Sequence, residues 1–506
     1  MTTAAGRRGW SAAQAAVALL ACAVVVWACA RHGPAVDNDT ADFFSAADSV
    51  AAGDGLIMTT GRLFILWPPL PPLLLAGLAA LGIGHVQACL AVNLLGLLLM
   101  VGAGARMVSR LAGSPALGLV WVIAVVLTPD VLWIYTRALS EPLFMGLCTV
   151  AIAACCEYLD APRRRTFAVM TAAAGLAWIE RYAGIVLLPV IGGAVLLAPR
   201  RCPVRVRLAR CLSFGLLAGL PMLPWVIRNL SLTGTLTGSR GAFGEYGMSG
   251  AVVVGNSARA ISNWFVPWAD EPLLAVLAVG ALAVCVAGLL TRPRAAERDA
   301  ALRWFPLWGF PLVYLAFTGT INANFEIDGV GRRQVVPALP FLWALALLCV
   351  HRGIAAWRSR SRVAAAVAGG LVALFLGVYW VRGVPDARGR IAHMRRVGTG
   401  TYSTDWWQEA AILDRARVLP TNHELYSNDV YALYLFAGRR SSPMPRNRAD
   451  FRRFARRVQL GAEPVYVLWV RTKDRNRLPV DWFGERVAAG SVFEESDGAL
   501  WRLDPR

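Results

Sequence analysis

Predominantly apolar runs of 17 to 20 residues recur along most of this chain, and they exclude most of the folds open to a protein of its length. A helix needs about 20 apolar residues to cross the roughly 30 Å hydrocarbon core of a bilayer, so each run is close to one crossing. The segments between runs carry too little charge to solvate so much apolar surface: 57% of the chain is hydrophobic and 16% is charged. The first run, Trp10 to Ala30, is longer than the apolar stretch of a signal peptide. It also lacks a small-residue cleavage site before Arg31, so it is read as an anchored helix.

The net charge of +19 would suggest nucleic acid in a soluble protein. Here its placement explains it, because arginines cluster in short segments between apolar runs, the pattern of cytoplasmic loops. Lys473 is the only lysine, so a bias toward arginine contributes, and no nucleic-acid partner is expected. The ten cysteines lie in or beside apolar runs or in the basic loop with Cys202. None follows Arg382, which leaves no disulfide framework or zinc site in the polar tail. His32, His85, His351, His393 and His423 show no ligand spacing, and no metal is assigned.

The arginines also orient the chain. Spans are expected at 10–30, 87–105, 115–133, 141–157, 166–179, 183–198, 211–227, 272–290, 304–320, 334–350 and 363–381, eleven in all. The count turns on residues 67–84, which begin WPPLPPLLLAG. Read as a span, this segment would put every later arginine cluster outside. Read as a juxtamembrane helix on the outer face, it puts all of them inside: Arg7 and Arg8, Arg106 and Arg110, Arg163 to Arg165, and the clusters at 200–210, 292–303 and 352–362. The positive-inside rule selects the second threading. The expected fold class is mainly α, a polytopic membrane protein with a cytoplasmic N-terminus. Residues 1–381 would form the transmembrane part, with a first outer loop at 31–86. Residues 382–506 would form a small extracytoplasmic α/β domain, with strand-like runs at 464–470 and 498–504 and helical periodicity at 404–419 and 450–460.

Charges at the outer helix ends are isolated and of opposite sign: Arg137 and Glu141, Glu180 and Arg181, Arg228, then Arg332 and Arg333. Charge beside hydrocarbon is costly, so such residues serve as ion pairs, as snorkelling anchors or as a functional site. Together they suit a cavity for an anionic headgroup, since arginine grips phosphate with a fork of donors. The first outer loop reads VDNDTADFFSAADSVAAGDGL over 36–56, and residues 41–52 suit an amphipathic helix lying on a membrane surface. Asp39 stands where it can cap that helix. A carboxylate there is equally well placed as a general base that takes a proton from a hydroxyl nucleophile. Asp37 and Asp42 are neighbouring alternatives that spacing does not separate.

The order of these motifs resembles the GT-C superfamily of integral-membrane glycosyltransferases. The likeness is to bacterial relatives of the protein O-mannosyltransferases and of the lipid A aminoarabinose transferase. It is carried by the first-loop aspartates followed by WPPLPPLLLAG, and by TPDVLWIYTRALSEPLF (128–144), ERYAGIVLLP (180–189), PWVIRNLSLTGTLTGSRG (224–241), RRQVVPALPFL (332–342) and YSNDVYALYLFAGRRSSPMP (426–445). Phe43 and Arg333 stand where such relatives more often have tyrosine. The resemblance implies a GT-C-like bundle with outer juxtamembrane helices in a bacterial inner membrane. It further implies a polyprenyl-phosphate-linked sugar as donor, an inverting transfer on the extracytoplasmic face, and a glycan, lipid or protein acceptor. Asp39 matches the catalytic base best, while Arg137, Arg181, Arg228, Arg332 and Arg333 would contact the donor phosphate. Glu141, with Glu180, is the candidate for a second acidic site; the resemblance leaves room for a divalent cation there without assigning one. A multi-pass transporter or lipid flippase is the alternative, but its usual internal repeats with broken helices are not found.

Overall fold

The computed structural model describes residues 4–197, 202–238, 250–267, 272–290, 304–324, 331–420, 423–445, 448–461, 463–471 and 489–504. The expected basic positions Arg200, Arg201, Arg292, Arg294, Arg298 and Arg303 lie outside them, as does Lys473. Two compact units emerge. One comprises Met1–Arg31, Ile65–Pro71 and Cys89–Arg395; the other comprises His32–Phe64, Pro72–Ala88 and Arg396–Arg506. Most of the first loop therefore groups with the tail.

The first unit is helical. Among the described residues six helices are long and apolar enough to cross a membrane: Gly9–Cys29, His85–Ala112, Glu141–Asp160, Val204–Thr233, Arg332–Arg358 and Arg362–Val397. Pro115–Leu127 and Pro129–Tyr135, two helices bent by 68°, pass the same test together and make a seventh if counted as one span rather than a re-entrant loop. Among the described residues, length and composition thus give six or seven spans and do not confirm the expected eleven. Segment 166–179 falls within the 17-residue helix Arg164–Glu180, and segment 183–198, as far as Leu197 where the described stretch ends, within the short apolar stretch Tyr182–Leu197. The run expected at 363–381 continues as one 36-residue helix to Val397, about 54 Å long at 1.5 Å per residue. By contrast, the pivotal segment 67–84 contains only the 11-residue helix Leu70–Ala80, about 16 Å and too short to cross.

Local chemistry explains the bend at Thr128. Proline at 129 pushes the residue before it out of the helical region, and Thr128 is extended at φ −67°, ψ 124°. Its hydroxyl then ties the break together, donating to Ala124 O at 2.9 Å while accepting from Trp343 Nε1 at 3.1 Å and Tyr379 OH at 3.3 Å. Helices His85–Ala112 and Glu141–Asp160 touch backbone to backbone. A Cβ placed at Gly146 would lie 2.5 Å from Gly96 O, and one at Gly96 would lie 2.3 Å from Pro142 O. Small residues permit this approach where hydrophobic driving force between helices is absent. Gly146→Val is therefore expected to cost about 3 kcal/mol or more, the upper range for overpacking, because the atoms struck are backbone. Size-exclusion chromatography after extraction should show loss of the monodisperse species; an unchanged profile would contradict the close contact.

The second unit holds a five-stranded sheet. Its strands are β1 (Leu425–Ser427), β2 (Ser442–Pro443), β3 (Val465–Val470), β4 (Ala489–Glu495) and β5 (Gly498–Leu503). Their order is β2-β1-β3-β5-β4, parallel among the first three and antiparallel for β3, β5 and β4. Helix Arg448–Leu460 buries Phe451, Phe454 and Val458 against Val465, Val467 and Leu503, spaced so that one face meets the sheet. The single helix expected over 404–419 is two, Trp406–Glu409 and Ala411–Val418, broken where Ala410 is extended.

Candidate active site

Glu141 opens helix Glu141–Asp160 and is fully buried. The turn before it is fixed by Asn93, a buried amide on an otherwise apolar helix, whose Nδ2 donates to Tyr135 O at 2.9 Å and to Arg137 O at 2.7 Å. Arg181 sits at an extended break between helix Arg164–Glu180 and the 3-10 turn Tyr182–Val186. Its Nη1 donates to Glu141 Oε1 and to Ser140 Oγ, each at 2.7 Å. Arg333, from the short helix Arg332–Val335, donates through Nε to the same carboxylate oxygen. Three expected site residues, separated by up to 192 positions, are thereby brought together.

Two guanidiniums meet on one carboxylate oxygen, Glu141 Oε1. Both arginine side chains stay partly exposed, at 21% and 24%, while Glu141 shows none. Guanidinium groups are chemically matched to a phosphate. Glu180 is buried beside Arg181, and its Oε2 has no hydrogen-bond partner among the described residues. No group of three or more metal-ligating side chains occurs among the described residues. Both arginines bond Glu141 Oε1, while Glu141 Oε2 has no hydrogen-bond partner among the described residues.

The remaining arginines go elsewhere within the first unit. Arg332 turns to Asp130, 3.8 Å away, whose other oxygen accepts from Trp264 Nε1 at 2.8 Å. Arg137 lies over the Trp133 ring at 4.4 Å and Arg228 over Trp225 at 4.6 Å, geometry suited to cation–π attraction. Tyr182 OH accepts from Trp225 Nε1 at 3.0 Å and from Asn229 Nδ2 at 3.1 Å, so the PWVIRN segment braces the residue next to Arg181. Asn93, Asp130, Ser140, Tyr182 and Trp264 were not anticipated. A lone polar residue in an apolar helix, such as Asn93, was the one available signal.

The first-loop aspartates lie in the second unit and differ in environment. The helix runs Asn38–Ala51, and its N-cap is Asp37 rather than Asp39, because it starts earlier than the apolar pattern at 41–52. The Asp37 N–H donates back to Thr40 Oγ1 at 3.3 Å. Asp39 falls in the first turn, half-buried, where the helix dipole favours a carboxylate. Asp42 is buried and accepts from Thr59 N at 3.0 Å and Thr59 Oγ1 at 2.8 Å. Burial outweighs these two bonds and pushes its carboxyl from 3.8 up to about 6. A raised folded-state value means that the contribution is complete below the unfolded value and disappears as pH rises through about 6. At neutral pH the ionised group costs about 3 kcal/mol. Asp42→Asn should therefore raise the melting temperature relative to wild type at neutral pH and not near pH 4; equal pH dependence in the two proteins would refute this.

No protein-family profile matches the sequence, and no curated protein matches it. Solved structures do. ArnT from Cupriavidus metallidurans in the apo state is 18% identical with a TM-score of 0.61, and 98% of each chain is covered. The same protein bound to undecaprenyl phosphate gives 16% and 0.63, again over 98% of each chain. The arabinofuranosyltransferase AftD from Mycobacteria gives 13% and 0.53, covering 97% of this chain but 41% of AftD. At such identities the likeness speaks for architecture alone: over nearly its whole length this chain has the fold seen in ArnT.

Proposed function

We propose that this protein is an inverting glycosyltransferase that moves a sugar from a polyprenyl-phosphate donor to an acceptor hydroxyl on the extracytoplasmic face of a bacterial inner membrane. The observation that carries the reading is the end-to-end likeness to ArnT bound to undecaprenyl phosphate. Arg181 and Arg333, converging on Glu141, support it with a positively charged, partly exposed pair.

Asp39 acts as the base. It takes the acceptor proton as the hydroxyl oxygen attacks the anomeric carbon from the face opposite the phosphate. The bond from that carbon to the phosphate oxygen breaks with inversion, and polyprenyl phosphate departs with the bonding electron pair. Arg181 and Arg333 offset the charge that develops on this leaving group. Glu141 holds the two guanidiniums in place without contacting the reacting atoms. Arg137 and Arg228, set over tryptophans, and Arg332, turned to Asp130, are further phosphate contacts in this reading. The acceptor is a glycan, a lipid or a protein.

The test is direct. Purified protein in nanodiscs is incubated with labelled polyprenyl-phosphate hexose, aminosugar and arabinofuranose donors, and release of polyprenyl phosphate is followed. Glycans of the envelope from a deletion strain are compared by mass spectrometry to identify the product. Release from one donor class with loss of a matching glycan supports the reading. No release from any donor, with an unaltered envelope, overturns it.

A further inference from the structure

The helix carrying Asp39 is gripped at both ends by residues that follow the last long helix, all within the second unit. At its N-terminal end Tyr402 N donates to Val36 O at 3.0 Å, and Val36 N donates to Ser403 Oγ at 2.8 Å. Asp37 Oδ1 accepts from Thr401 N at 3.1 Å and from Thr401 Oγ1 at 3.2 Å. The Tyr402 hydroxyl lies 2.9 Å from Asn38 Oδ1 and 2.8 Å from Asp429 Oδ1. One phenol proton serves one acceptor, and the carboxylate is the stronger. Asn38 then turns its amide nitrogen toward the phenol oxygen. Asp429 is itself buried and caps helix Val430–Ala437, accepting from Ala432 N at 3.1 Å. A buried cap in the tail is thus joined through one tyrosine to the turn that bears Asp39.

The sequence is built for this closure. Gly400 has φ +85°, and a Cβ there would lie 2.7 Å from Ala35 Cβ, so both the backbone conformation and the close approach require glycine. Trp407 packs on the Tyr402 ring with centroids 5.1 Å apart. At the far end of the helix Tyr434 donates to Asp48, Arg440 donates to Ser49 Oγ, and His85 Nε2 lies 2.7 Å from Asp48 Oδ1. Burial works against the Asp48 charge, but the hydrogen bonds from His85 and Tyr434 and the nearby cationic groups hold its carboxyl below the usual range. A 14-residue helix is marginal in water by itself. Its position must come from these contacts.

We propose that segment 398–404 is a positioning clamp for the first-loop carboxylate. Through Thr401 and Tyr402 the tail domain sets where Asp39 stands, and turnover depends on the tail for that reason. The inference rests on Asp39 being the base. Thr401 and Tyr402 are positioning residues, remote from the reacting atoms.

The experiment uses the full chain in nanodiscs with the lipid-linked sugar that it turns over. Tyr402→Phe and Thr401→Val should quicken amide hydrogen exchange in residues 38–42 at least about tenfold and lower kcat about 10- to 100-fold, the scale expected for a misplacement near 1 Å. The donor KM should stay within about twofold, and Thr401→Ser, which keeps the hydroxyl, should restore kcat. Unchanged exchange in both variants overturns the clamp. So does a normal kcat in both while Asp39→Asn is inactive, an outcome that leaves the base assignment standing. A raised KM with normal kcat would make the tail a binding element and likewise overturns the clamp. Full turnover by Asp39→Asn removes the base reading and the clamp with it.

Discussion

If Asp39 is the proposed base, Asp39→Asn should lower turnover about 10²- to 10⁴-fold, the usual contribution of a positioned general base, while donor binding should stay near wild type. The substitution is nearly isosteric and removes the negative charge together with the capacity to take a proton. Loss of the carboxylate from the first turn of the helix removes about 0.3–1 kcal/mol of dipole stabilisation. Asp37 and Asp42 differ. Asp37 is the N-cap and accepts from Thr401, and Asp42 is buried on Thr59. Their asparagine variants should alter stability more than turnover. Initial rates and melting curves on the three variants separate these roles. Full activity in all three would remove the first loop from the mechanism.

Arg333→Ala is expected to lower both stability and donor affinity. Glu141 is fully buried and accepts from Arg333 and Arg181. Taking one partner from a buried ion pair typically costs about 3–5 kcal/mol, because the remaining charge is left uncompensated. Arg181 still holds Glu141, which places the loss toward the lower end. Donor affinity should also weaken about tenfold or more, since a charge-assisted hydrogen bond contributes about 1.5–3 kcal/mol. Adding Glu141→Gln to Arg333→Ala removes the stranded charge, so the double variant should be more stable than the single one. It should not recover donor affinity. A double variant no more stable than Arg333→Ala would refute the buried-charge account, and this double-mutant cycle isolates the coupling between the two residues.

Much of the candidate site was legible in outline. Arg181, Arg333 and Glu141 stood out because charge beside hydrocarbon is rare and costly. Their convergence was not, because the contact joins residues 192 positions apart and no local pattern encodes such a pairing. Arg332 illustrates the limit. It is adjacent to Arg333 and chemically identical, yet it faces Asp130. Which of two neighbouring arginines turns to which acid depends on the rotation of a four-residue helix. The cap of the first-loop helix was misplaced by two residues for a related reason: Asp37, Asn38 and Asp39 are all good capping residues, and tertiary contacts to Thr401 select the first.

The apolar runs alone determined that this is a helical, multi-pass chain, since each run is about one bilayer crossing and too little charge remains to solvate them. They did not determine how many crossings there are, because helix breaks such as the one at Thr128, and helix ends such as the one at Glu180, depend on packing between segments. The polar loop 31–66 and the tail were recognisable separately as sequence. Only the tertiary structure joined them into one unit, through hydrogen bonds between residues about 365 positions apart. Hydropathy is a local property that can be read along the chain, whereas those bonds exist only where the fold brings distant backbone together.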